Sequence, residues 1–177
     1  MDSNKFWNSD KVVSSAAMLI SIGTLFVLIY QTNLMSEQKR QSVLPYLLIG
    51  YHNTGTPNFK IVVENKGVGP AFIESVTTSY GDSTYQLDLP NFLYGEIDEM
   101  DSISNLFHSN IFEGLLIPAG ESIPILQVDG SESDAERLLT LLRRLDAQGL
   151  NHEIVYKSIY NEKWLLGTES FVPVAMD

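Results

Sequence analysis

Two hydropathy patterns divide the chain near residue 42. From Val12 to Tyr30 it reads VVSSAAMLISIGTLFVLIY, and no formal charge occurs between Lys11 and Glu37. At ~1.5 Å per residue such a helix crosses a hydrocarbon core of ~30 Å, so the pattern predicts a transmembrane span. Phe6, Trp7 and Lys11 on one side, and Tyr30, Lys39 and Arg40 on the other, are the aromatic and cationic anchors expected at headgroup level. The competing pattern is a cleaved signal peptide. The apolar run is too long for an h-region, and the following Gln31-Thr-Asn-Leu-Met35 has no small-x-small cleavage site. The expected layout is a tail over 1–11, a transmembrane helix over 12–30, a juxtamembrane linker over 31–42 and a soluble domain over 43–177.

The soluble part changes to short runs rich in β-branched and aromatic residues. Strands are predicted over 44–51, 59–64, 71–80 and 84–89, and again over 114–117, 122–128, 153–160 and 163–172. The punctuating segments HNTGTPN, NKGVGP and YGDS are rich in turn formers, and YNEKW at 160–164 reads as a hairpin turn with Asn161 accepting positive φ. Strands at this spacing predict a mainly β fold, an immunoglobulin-like sandwich following one N-terminal membrane helix, with one or two inserted helices. The weaker helical pattern lies in 90–110, where apolar residues mix with Glu96, Asp98, Glu99 and Asp101. That acidic run reads as a solvated helix face, because it lacks the ligand spacing of a calcium loop. The stronger pattern is SESDAERLLTLLRRLDAQG at 131–149: Ser133 and Glu136 form a capping-box pair, Gly149 stands at C′, and Leu138, Leu141, Leu142 and Leu145 share one face.

Charge narrows the partners. The chain carries 11 Lys/Arg against 22 Asp/Glu, and residues after Ser42 hold seven basic and nineteen acidic side chains, a net charge of −12. Such a surface repels phosphate backbones, so direct nucleic-acid binding is not expected. With no cysteine there is no disulfide, thiolate nucleophile or Cys-based zinc site. Neither a catalytic triad, a metal set nor a cofactor motif can be assembled from the residue pattern, so no enzyme activity and no cofactor are expected. Lys5 and Lys11 before the span balance Lys39 and Arg40 after it, leaving orientation open on charge alone. The expected location is a membrane, with the soluble domain on the cytoplasmic side.

One glycine-rich stretch, ENKGVGPAFIESV at 64–76, has two readings. A phosphate loop needs glycine-spaced backbone donors leading into a helix N-terminus. Here Pro70 removes a donor and a strand-forming run follows, so a structural turn is expected. In that reading Asn65 and Gly67 accept positive φ, Val68 tucks between the sheets, Gly69 precedes proline in an extended conformation, and Pro70 begins the next strand.

VVENKGVGPAFIESV resembles the Asn-x-Gly-x-Gly-Pro-Ala corner of many small bacterial membrane proteins with a single N-terminal span and an immunoglobulin-like domain. The resemblance covers the corner, its two strands and, more loosely, the YKSIYNEKW hairpin. Size and layout are also similar to the membrane accessory proteins encoded beside the RNA-guided ribonuclease of type VI-B CRISPR systems. That similarity implies an inner-membrane pore supporting antiviral defence. Those proteins are described as divergent relatives of nucleases with an Arg, four residues, His active site. The residues five before His52, His108 and His152 are Leu47, Ile103 and Ala147, so RNA cleavage is not expected.

The span carries its own pattern. Ser14, Ala17, Ser21, Thr24, Leu28 and Gln31 recur at steps of 3 and 4, one seam of small and polar residues with one leucine. In lipid such residues bring helices together or face water, although Ser and Thr also bond back to their own helix. The sequence therefore supports a homo-oligomeric pore or gate, in which the seam is an oligomer contact or pore lining and the soluble domain makes subunit contacts. The alternative is a tethered, non-catalytic module that binds a protein partner. Lipid and a self-associated ring are the expected partners of the first.

Overall fold

The computed structural model describes residues 9–168 and 172–176. It divides into two units at Gln41/Ser42. The first is a single helix, α1 (Ser9–Gln41), the one helix among the described residues that is long and apolar enough to cross a membrane. Residues 31–41, expected as a linker, continue this helix. Thr32 adds a turn-internal bond, Glu37 pairs with Arg40 at 2.8 Å, and Gln41 donates to Glu37, so the polar stretch carries its own i,i+3 and i,i+4 support. The expected anchors Phe6 and Trp7, and Lys5 of the flanking-charge balance, lie outside the described residues.

The second unit is a sandwich-like pair of antiparallel sheets. Its strands are β1 (Leu47–His52), β2 (Lys60–Asn65), β3 (Ala71–Tyr80), β4 (Ser83–Tyr85), β5 (Leu106–His108), β6 (Leu116–Ile117), β7 (Ser122–Val128), β8 (Asn151–Lys157), β9 (Lys163–Gly167) and β10 (Val174–Met176). One sheet has the order β1-β2-β7-β5, and the other β10-β9-β8-β3-β4 with β6 also paired to β3. Alternation puts Leu47 and Ile49 of β1, and Ile61 and Val63 of β2, into a core shared with Ile73, Val76, Ile154, Tyr156 and Leu166 of the second sheet. In β3 the inward positions run Ala71, Ile73, then Val76 and Thr78. A bulge between Ile73 and Ser75 inserts the extra residue that shifts the phase. Pro124 is tolerated in the interior strand β7 for the same reason: pairing jumps from Ile61↔Leu126 to Val62↔Pro124.

Between strands stand α2 (Leu89–Glu96), a 3-10 turn (Asp98–Ser102) and α3 (Glu132–Ala147). Several expectations change here. The strand predicted at 84–89 ends at Tyr85. Asp88 instead caps α2, accepting from Asn91 N at 3.1 Å and from Ile111 N at 2.8 Å, and Pro90 occupies its first turn. The helical excursion expected over 90–110 is thus one short helix, one 3-10 turn and the strand β5. The cap of α3 is Ser131, whose hydroxyl accepts from Asp134 N, so Ser133 and Glu136 do not form the capping box. The C-terminal end is as expected, with Gly149 at φ +87°, and so is the buried face of Leu138, Leu141, Leu142 and Leu145. Asn161 turns the β8–β9 hairpin at φ 62°. The strand expected over 163–172 is β9 alone, residues 169–171 lying outside the described set, and the short edge strand β10 follows.

Candidate functional site

Along α1 the seam is a real helical face, and all of its residues are exposed. Ser14 Oγ donates to Asp10 O at 2.7 Å, Ser21 Oγ to Ala17 O at 2.8 Å, and Thr24 Oγ1 to Ile20 O at 2.8 Å. Each hydroxyl thus uses the carbonyl four residues earlier and needs no second chain to enter an apolar medium. Gln31 differs: its side-chain amide has no hydrogen-bond partner among the described residues. Ala17 and Leu28 complete the face without polar chemistry.

The glycine-rich corner is built by close approach, not by unusual backbone angles. Asn65, Gly67 and Gly69 are absent from the positive-φ residues, which corrects the expected reason for Asn65 and Gly67. Asn65 is fully buried, and its side chain makes four hydrogen bonds. Nδ2 donates to Gly69 O at 2.8 Å and to Ile117 O at 3.1 Å, while Oδ1 accepts from Tyr46 N at 3.1 Å and Gly67 N at 3.0 Å. The residue before β1, the loop itself and β6 are thereby tied to one amide. The loop also clamps the segment entering the domain: Val68 N and Gly69 N donate to Leu44 O at 3.0 and 3.2 Å, and Lys66 N to Tyr46 O at 2.8 Å. Val68, expected between the sheets, is 66% exposed, because its backbone is used for this clamp. Pro70 immediately precedes β3, as the turn reading requires. Nothing in this geometry presents convergent N–H groups to an anion.

Two charge clusters lie on the sheets. Glu64, largely buried, contacts Lys66 Nζ and lies 3.0 Å from His52 Nε2; the Lys66 hydrogen bond holds its carboxyl below the ordinary range. Glu74 is bracketed by Lys157 at 2.8 Å and Lys163 at 2.6 Å, whose hydrogen bonds act on it in the same direction. Glu64 is matched by Lys66, whereas the Glu74 cluster carries one positive charge in excess, and among the described residues no group of three or more His, Asp or Glu is placed to hold a metal ion.

One of the histidines that complete no nuclease motif in the sequence, His152, has a strongly perturbed environment. His152 is 1% exposed at the start of β8, and its Nδ1 lies 3.1 Å from Thr78 Oγ1, which itself donates to Leu87 O at 2.9 Å. Burial pushes its pKa down to about 4. The unfolded chain then binds a proton near the ordinary value of 6.5 that the folded chain refuses, so stability is intact above that pH and falls between 6.5 and about 4. Lowering the pH from 7 to 5 is expected to cost about 2 kcal/mol. Urea midpoints of the wild type and His152→Gln at the two pH values check this: equal slopes in both proteins would reject the assignment.

Besides a small one of about 40 Å³ near Gly55 and Thr56, two larger cavities flank α3. One, about 490 Å³, lies against the 3-10 turn, where Arg144 pairs with Glu99 at 2.9 Å and Arg137 donates to Ser102 O at 3.0 Å. The other, about 220 Å³, is lined from both sheets and from α3, and His152 stands in its wall. Neither was visible in the sequence, since each is made by residues far apart in the chain. No protein-family model, curated protein or solved structure matches the chain.

Proposed function

We propose that the chain is a single-span membrane protein whose immunoglobulin-like domain is a non-catalytic protein-interaction module, held at the surface of a bacterial inner membrane by α1. The observation that carries this reading is the self-sufficiency of α1, a helix of 33 residues whose seam hydroxyls are bonded to their own backbone. A helix of this kind is stable in lipid alone. The domain's core is assembled entirely from residues after Ser42, so the two units have separate work. Its acidic surface favours a basic or neutral protein partner over nucleic acid.

A second reading has its own support. The unpartnered Gln31 amide continues the face of Ser14, Ala17, Ser21, Thr24 and Leu28, and a polar amide at the end of a span gains from a bond across a helix interface. On this reading the chain is a homo-oligomeric pore or gate in CRISPR-linked antiviral defence. Light scattering of the full chain in mild detergent separates the two. A mass of one or two chains is expected, and a ring of several chains would replace the module with the pore. In that event Ser21→Leu and Thr24→Leu should lower conductance with assembly intact.

A further inference from the structure

The smaller cavity beside α3 has a floor of Ile61, Leu139, Leu142 and Leu150 and carries Arg143 and Asp146 on its rim. Four arginines occur in the chain, and three are engaged: Arg40 with Glu37, Arg137 with Asp134 and Ser102 O, and Arg144 with Glu99. Arg143 has no ion pair or side-chain hydrogen bond among the described residues, although the domain around it is strongly acidic. Asp146 stands three residues on, where the helix brings side chains to ~5–6 Å between Cβ atoms. No ion pair within 4.0 Å joins the two. Asp146 acts electrostatically on Tyr51, which lines the same cavity, but has no cationic partner, so an unpaired cation and a carboxylate without an ion pair share the mouth of an apolar cavity.

We propose that this cavity binds a small zwitterion with an apolar side chain, of the leucine or isoleucine class. Arg143 takes the carboxylate through its guanidinium fork, Asp146 takes the ammonium, and the side chain enters between Ile61, Leu139, Leu142 and Leu150. The size agrees: about 220 Å³ is below the ~300–1,000 Å³ of pockets for drug-sized ligands. So does the charge. Asp146 opposes a purely anionic ligand such as phosphate, Arg143 opposes a purely cationic one, and His152 in the wall is held neutral and adds no second cation. The inference concerns the soluble domain alone and holds whichever way α1 is used.

Calorimetric titration of the full chain in detergent with L-leucine tests it. Leucine should bind, and 4-methylpentanoate, which lacks the ammonium, and leucinamide, which lacks the carboxylate, should each bind about tenfold more weakly, ~1.4 kcal/mol. Arg143→Met should lose about tenfold for leucine but nothing for leucinamide, and Asp146→Asn should lose about tenfold for leucine but nothing for 4-methylpentanoate. Both side chains are exposed, so the variants should keep the wild-type unfolding midpoint. Silence with L-leucine at about 10 mM, equal binding of inorganic phosphate, or leucine affinities unchanged in both variants would each overturn the proposal.

Discussion

Asn65→Ala should remove most of the domain's stability. The substitution deletes four hydrogen bonds at a fully buried position and leaves Tyr46 N, Gly67 N, Gly69 O and Ile117 O without them. A buried backbone group left unpaired costs about 1–3 kcal/mol. Tyr46 and Gly67 are partly accessible and recover some hydration, so the expected loss is about 3–5 kcal/mol against a total of about 5–15 for a domain. Asn65→Asp is the informative companion. It keeps both acceptor bonds but turns a charged oxygen toward the two carbonyls that Nδ2 now serves, so it should be at least as damaging at pH 7 and recover as acid restores a donor. Urea unfolding of the full chain in detergent measures both. A loss below about 1 kcal/mol for alanine would show that the corner is not held by this amide.

Gly69→Ala is expected to be comparably severe, for a steric reason. A Cβ there would overlap the Val43 carbonyl and stand 2.8 Å from Val43 Cα, so the obstacle is backbone and no rotamer relieves it. Opening the corner would break the bonds from Val68 N and Gly69 N to Leu44 O. A loss of about 3 kcal/mol or more follows from this overlap and the orphaned groups. At Gly67 the added atom would meet Leu44 O and lie 2.7 Å from Pro45 C, a second case of the same kind. Gly23→Ala is the control: nothing lies within 4 Å of its Cβ, so it should leave the domain's urea midpoint unchanged. If Gly69→Ala unfolds at the wild-type midpoint, the close approach does not hold the corner.

Much of this architecture was readable from local pattern. Periodicity located the apolar helix, the leucine face of α3 and the strands flanking the corner, because those signals depend on near neighbours. Its failures share a cause. Leu87-Asp88-Leu89 alternates like a strand, yet Asp88 is worth more as a cap shared between Asn91 N and Ile111 N, and Ile111 is 23 residues away. Ser131 displaced Ser133 as the cap of α3, in a segment where Asp134 is also drawn to Asn105, at 2.9 Å through its amide. The short strands β5 and β10 carry too few residues to alternate visibly, and pairing with β7 and β9 is what makes them strands.

The sequence by itself determined the character of each part: an uncharged apolar run long enough to cross a membrane, an acidic domain without cysteine, and a glycine-rich corner that ends in proline and runs into a strand. Composition and short-range spacing suffice for those conclusions because they depend on transfer energies and local backbone limits. Tertiary structure alone decided that Gly67 and Gly69 serve close packing in place of positive φ, that His152 is buried, and that Arg143 is left unpaired beside an apolar cavity. Each of these depends on which distant residues arrive at the same place, and distance in the chain carries no signal of that.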